Sequence, residues 1–174
     1  MSVLSAQSIR KLCVKNSIYL DNPMLDPFEE EHRDLVYIND NKNDSLRISA
    51  GLGSASYSIS LAQNLHMGQI GVGEPYNFGL FSTIEKFQMP NNICATVHDK
   101  STWARRGLAV QTTFIDPGWC GFLTLEISYH GTGIIKIPSM VGIAQMVFHK
   151  LDEETELPYK GKYQHQGEEP QKAL

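Results

Sequence analysis

The sequence predicts a mainly β domain, a sandwich or barrel with one or two short helices, and three observations carry that expectation. Beyond about Ile48 the apolar residues fall in short alternating runs, the runs are punctuated by glycine and proline, and 41% apolar content over 174 residues suffices for one core. A single domain spanning residues 1–174 follows. Ser5 stands where it can cap a short helix whose Ile9, Leu12 and Cys13 lie at helical spacing. Leu20-Asp21-Asn22-Pro23 and Asp26-Pro27-Phe28 read as turns, because the residue before proline avoids helix. Glu29 to Asp44 is charge-rich and ends in Asn39-Asp40-Asn41-Lys42-Asn43-Asp44, an expected exposed loop. Tyr57, Ile59 and Leu61 alternate with serines, the pattern of a half-buried strand. Gly71-Val72-Gly73 reads as a turn, since it continues into Glu-Pro.

Two further strands are expected over Leu108–Phe114 and Phe122–Ile127. The segment between them, Ile115-Asp116-Pro117-Gly118-Trp119-Cys120-Gly121, holds a Pro-Gly pair that fits a type II turn. Ile134–Ile137 and Val141–Phe148 complete the strand pattern. After Leu157 the chain turns polar and cannot supply core; it is expected to be disordered, or ordered only on a ligand or a neighbouring subunit.

The formal charge of −4 argues against a polyanion-binding surface, which is usually strongly basic. No apolar run approaches the roughly 20 residues that span a bilayer, and MSVLSAQSIRKL lacks the basic start and apolar stretch of a secretory signal. The expectation is a soluble cytoplasmic domain with neither nucleic acid nor membrane as partner. Cys13, Cys94 and Cys120 are odd in number and without metal-type spacing, so a disulfide framework is not expected. Neither a GxxxxGK[ST] nor a GxGxxG phosphate loop occurs. The HxE with PCxxC pairing of zinc deaminases is absent too, and the six histidines are dispersed.

Two places can carry chemistry. On a strand, Phe122, Thr124 and Glu126 share one face and Leu123, Leu125 and Ile127 the other. If the leucine face is core, Glu126 either points to solvent or sits in a partly dry pocket as a proton shuttle; periodicity leaves both open. Asp99-Lys100-Ser101-Thr102-Trp103-Ala104-Arg105-Arg106-Gly107 gathers cations, hydroxyls and a glycine just before a strand. Such a run suits phosphate oxygens, whose geometry a guanidinium fork and backbone N–H groups match, and it equally describes a solvated basic turn.

At these two clusters the sequence resembles a known family. Lys100 to Gly107, Ile115 to Gly121 and Leu123-Thr124-Leu125-Glu126 look like dCTP deaminase, within the trimeric dUTPase superfamily. Supporting matches run nearly end to end: Val3-Leu4-Ser5 with Ile9-Arg10, Phe81-Ser82-Thr83-Ile84-Glu85 before Met89-Pro90, Gly142 to Phe148, and the tail Tyr159 through Gln166.

The resemblance implies a distorted, jelly-roll-like β barrel that assembles as a homotrimer with active sites at subunit interfaces. It implies hydrolysis of dCTP to dUTP and ammonia with no catalytic metal, Mg²⁺ travelling with the triphosphate. Glu126 matches the catalytic glutamate, base on water and then donor to the leaving amine. Ser101 and Arg105 match the groups that position water and hold the tetrahedral centre. The run Lys100, Ser101, Thr102, Trp103, Ala104 and Arg105 would hold phosphates. Asp116 matches a position near the deoxyribose, Trp119 falls among the substrate contacts, and Thr124, Leu125 and Glu126 line the base. Gln145, Tyr159, Lys162 and Gln166 would contact triphosphate, with 158–174 a lid ordered by the nucleotide. Thr112 falls where a small residue governs room beside the pocket, and dTTP feedback is the family expectation.

The chain departs from the family in its early strand motif, where Ser58 and Ser60 replace the usual Asp and Arg. The family's Asn after the glutamate strand is Tyr129 or His130 here. Two other functions remain open on sequence: a bifunctional deaminase–dUTPase giving dUMP and pyrophosphate, and a nucleotide-binding trimer without turnover. The glycine-rich arm of a stand-alone dUTPase is missing.

Overall fold

The computed structural model describes residues 2–14, 23–31, 33–39, 44–68 and 77–173. The turn expected at Leu20-Asp21-Asn22, the Gly71-Val72-Gly73 turn and residues 40–43 of the acidic-polar loop lie outside the described residues. In chain order the elements are β1 (Ser2–Val3), α1 (Ala6–Cys13), β2 (Leu25–Asp26), β3 (Arg33–Asn39), β4 (Asp44–Leu52), β5 (Tyr57–Ser60) and β6 (Leu65–Gly68). They continue with β7 (Phe78–Gln88), β8 (Ile93–Asp99), α2 (Ser101–Ala104), β9 (Leu108–Val110), β10 (Phe114–Ile115), β11 (Cys120–Tyr129), β12 (Ile134–Ile137) and β13 (Gly142–Lys150). The expectation of a mainly β fold with two short helices holds.

Among the described residues the strands form three sheets. One runs β10-β8-β13-β5-β4-β3 with β1 beside β13, a second runs β2-β7-β11-β9, and β12 pairs with β6. Apolar faces of the two large sheets meet in one core, Ile59, Ile143 and Phe148 from the first and Phe87, Leu125 and Ile127 from the second, all fully buried. Area removed from water on this scale is the main driving force for the fold.

Helix α1 begins at Ser5 as expected, and Ile9 and Cys13 are buried. The Ser5 side chain does not cap, however; its hydroxyl lies 3.4 Å from that of Ser8, while its carbonyl accepts the Ile9 N–H. The charge-rich stretch after Glu29 contains β3, which pairs with β4 from Arg33↔Ala50 to Asn39↔Asp44. The charges masked the Leu35-Val36-Tyr37-Ile38 run that β-propensity favours.

The single strand expected over Leu108–Phe114 is two strands in two sheets. Val110 pairs with Ile127 on β11, whereas Phe114 pairs with Thr96 on β8. Gln111, Thr112 and Thr113 carry the chain across, tied to both sheets: Gln111 N–H donates to the Glu126 carbonyl at 2.9 Å, and Val97 N–H to the Thr113 carbonyl at 3.0 Å.

Strand β5 is not half-buried; Tyr57, Ser58, Ile59 and Ser60 are all buried. Its serines are tolerated inside because polar groups meet them there, as described below. The Asp116–Trp119 turn does close as expected: Trp119 N–H donates to the Asp116 carbonyl at 3.2 Å and Gly118 sits at φ 78°. A Cβ at Gly118 would also stand 2.7 Å from Pro158 Cβ, so the turn is where the tail first touches the sheet.

Candidate active site

Strand β11 organises the site. Leu123, Leu125 and Ile127 are buried in the core, which turns Thr124 and Glu126 to the opposite face. That face forms the floor of a cleft of about 930 Å³. Leu80 on β7, paired directly with Glu126, lies in the floor beside it. Phe114, Ile115 and Asp116 make one wall and Trp119 another, and Tyr159, Tyr163, Gln166 and the segment Pro170–Ala173 close over it. The Glu126 side chain is half-buried and lines this cleft beside aromatic residues.

The tail that covers the cleft is held by backbone and side-chain bonds to its own chain. Tyr159 N–H donates to the Pro117 carbonyl at 2.8 Å, His165 N–H to the Cys120 carbonyl at 2.7 Å, and Phe122 N–H to the Gln166 carbonyl at 3.0 Å. Trp119 Nε1 donates to the Tyr163 carbonyl at 2.8 Å. Gln164 spans the turn, its Oε1 accepting Cys120 N–H at 2.8 Å and its Nε2 donating to the Gly118 carbonyl at 2.9 Å. Gly121 permits this approach; at φ 147° it has no Cβ, and one would stand 2.7 Å from Gln166 N.

The cleft therefore brings together Asp116, Trp119, Thr124, Glu126, Tyr159 and Gln166 of the sequence-predicted residues. The others lie elsewhere, and among the described residues none of Lys100 to Arg105 lines it. Ser101, Ala104 and Arg105 are exposed on and after α2, and Thr102 is half-buried. Trp103 is buried in the core, its Nε1 donating to the Gly142 carbonyl at 2.9 Å. Lys100 turns inward, its Nζ donating to Ser49 Oγ and Ser58 Oγ, both at 2.8 Å. Ser58, expected from the resemblance to be a departure from the family, thus receives this lysine. Gln145 Nε2 donates to Ser56 Oγ at 2.6 Å, and Leu125 has its side chain in the core. Thr112 is exposed, and so is Lys162, whose Nζ lies 4.9 Å from the Tyr163 ring centre.

The other departure, Ser60, faces Glu85. Its N–H donates to both carboxylate oxygens at 3.1 Å, and its hydroxyl also bonds that group. Glu85 is 2% exposed, and burial pushes its carboxyl up to about 8 against the pull of these bonds. Leu80 and Phe114 line the cleft without any signal in the sequence, whereas Tyr163, Gln164 and Pro170–Ala173 fall within the 158–174 segment expected as a lid. Among the described residues no group of three or more His, Cys, Asp or Glu is arranged to hold a metal ion. No helix among them is long and apolar enough to cross a membrane.

Comparison with known proteins shows the family of the chain. A family model described as dCTP deaminase-like matches residues 50–151, which include β5 and the whole of β11. A dCTP deaminase of Pseudomonas putida (strain W619) is 32% identical over 192 residues, covering 95% of this chain and 96% of that protein. The chain belongs to the dCTP deaminase family. A dCTP deaminase of Campylobacter curvus is 43% identical over 102 residues, 57% of this chain and 55% of that one. The fold is that of the solved 2'-deoxycytidine 5'-triphosphate deaminase from Agrobacterium tumefaciens, with a TM-score of 0.54 at 15% identity. That match covers 85% of this chain and 47% of the larger one. The family's fold is thus present here with two serines at the centre of β5.

Proposed function

We propose that this chain hydrolyses dCTP to dUTP and ammonia, with Glu126 moving the protons. The observation that carries the reading is the Glu126 carboxylate on the floor of an aromatic-walled cleft, in a chain matched over nearly its whole length by a dCTP deaminase. The water oxygen bonds to C4 of the cytosine as Glu126 accepts its proton, and that proton is returned to the 4-amino group. The C4–N bond then breaks and ammonia leaves. Of the two protons of water, one ends on the ammonia and the other on ring N3. Such a shuttle contributes about 10²–10⁴-fold, so water positioning and stabilisation of the tetrahedral centre supply the rest.

In this reading Thr124 and the backbone of Leu125 meet the base, Asp116 the deoxyribose, and Trp119, Tyr159 and Gln166 enclose the nucleotide. Residues 158–174 are the lid. Ser101 and Arg105, exposed in their own chain, reach the cleft of a second copy in a homotrimer and act there on the water and the tetrahedral centre. Thr102, Ala104, Gln145 and Lys162 belong to the phosphate side of that shared site, whereas Lys100 and Trp103, expected there from the resemblance, point into their own chain and support the α2 segment instead. Magnesium enters as part of the substrate, bound through the triphosphate. Thr112, exposed one residue beyond the Gln111–Glu126 backbone bond, governs feedback by dTTP in this reading. Unchanged dTTP inhibition in a Thr112→Val variant would remove it from that role.

The test is incubation of the purified protein with dCTP and Mg²⁺, resolving nucleotides by ion-exchange chromatography. Accumulating dUTP with ammonia is expected. Appearance of dUMP and pyrophosphate without dUTP makes the enzyme bifunctional, and unchanged dCTP overturns the reading.

A further inference from the structure

We infer that Gln63, Ser82 and Thr124 form a latch that holds the Glu168–Gln171 segment over the Glu126 cleft, making Gln63 and Ser82 positioning residues for the reaction. The inference rests on the deaminase reading of the cleft and adds residues to it.

Hydrogen-bond direction defines the latch. The Gln63 amide grips Ser82 at two points: Oε1 accepts Ser82 N–H at 2.9 Å and Nε2 donates to Ser82 Oγ at 2.9 Å. A hydroxyl has one proton to give. With its oxygen already accepting from Gln63, Ser82 directs that proton to the Glu168 carbonyl. Gln63 therefore fixes Ser82 as a donor to the tail. Ser82 is fully buried, so this polarity is not contested by bulk water.

A second point lies one strand over. Thr124 pairs with Ser82 across β11 and β7, and its Oγ1 accepts the Gln171 N–H at 3.0 Å. Once accepting from the tail, the Thr124 hydroxyl keeps its own proton for donation, and Thr124 shares its face of β11 with Glu126 in the cleft. Tail closure and the polarity of the cleft floor are thus one event. Between the two pegs the chain passes from Glu168 to Gln171 and delivers Pro170 to Ala173 to the cleft wall.

The test uses Gln63→Glu, Ser82→Ala and Gln171→Pro in the full chain. The carboxylate of Gln63→Glu keeps the size of the amide but cannot donate to Ser82 Oγ; it takes the serine proton instead and leaves Glu168 unserved. Gln171→Pro removes the N–H that reaches Thr124 from the half-buried tail, outside the core. Amide exchange in the free protein is expected to rise about tenfold over residues 166–173 in each variant. For dCTP the expectation is a KM raised about tenfold for each latch variant, with kcat changed less. Exchange unchanged within about twofold in all three variants overturns the latch. Faster exchange with KM and kcat both unchanged overturns the positioning role and leaves the deaminase reading standing. Wild-type protein inert toward dCTP overturns that reading and with it the positioning role, while the exchange result still decides whether the latch exists.

Discussion

Two glutamates on neighbouring strands show how differently one fold uses the same side chain. Glu126 on β11 is half-buried on the floor of a cleft, opposite aromatic walls and the closing tail. Glu85 on β7 is sealed inside, with Ser60 N–H and hydroxyl as its partners and its carboxyl pushed up to about 8 by burial. Both follow an apolar residue in an alternating strand, so local pattern does not tell them apart. Access to substrate makes the first a candidate for chemistry. Seclusion makes the second a determinant of stability, since a charge there would be costly.

The largest expected effect breaks the comparison if it fails. Glu126→Gln should lower dCTP turnover by about 10²–10⁴-fold with the melting temperature little changed. A variant that still turns over at near wild-type rate would return Glu126 to the status of a surface residue.

Glu85 is tested by pH rather than by activity. Its folded-state pKa lies above its unfolded value of 4.5, so the native state holds a proton that the unfolded state has released. Stability is therefore complete below about 4.5 and falls as pH rises toward about 8, by an order of a few kcal/mol over the window. Glu85→Gln should flatten that slope in denaturant titrations between about pH 5 and 8, a range that spans most of the linkage. An unaltered slope would mean that another group carries it.

Gly121→Ala sharpens the contrast from the cleft side. The added Cβ meets Gln166 N at 2.7 Å on a backbone with φ 147°, a combination worth about 1–3 kcal/mol. Displacement of the tail should raise KM for dCTP and quicken proteolysis after Tyr159, leaving the core exchange pattern intact. The smallest effect belongs to Ser58→Ala, which removes one of the two hydroxyls that Lys100 meets. A loss of about 0.5–1.5 kcal/mol is expected, read as a lower urea midpoint. No loss would show that Lys100 finds another acceptor without cost.

The legible parts of the molecule were those where local rules and tertiary environment agree. Alternation placed β11 and its Leu123-Leu125-Ile127 core face, and Pro117-Gly118 announced the turn before it, because both depend on residues within a few positions of each other. Strand β3 was hidden by the charges flanking it. The break at Gln111–Thr113 was hidden because each half of Leu108–Phe114 is a good strand, and only the two sheets require them to part. The tail was expected as a lid, but its anchors were not legible: they are backbone groups and the amide of Gln164, which reach partners more than 40 positions away.

By itself the sequence determined the β class, the orientation of Glu126 away from the leucine face and the resemblance that points to dCTP, since periodicity and motif order are properties of the chain alone. Which carboxylate would be wet and which dry, where Lys100 would turn, and that the tail would lie across Thr124 were decided by the tertiary structure. Burial and hydrogen-bond partnership are set by residues remote in sequence, and they exist only once the sheets have closed on one another.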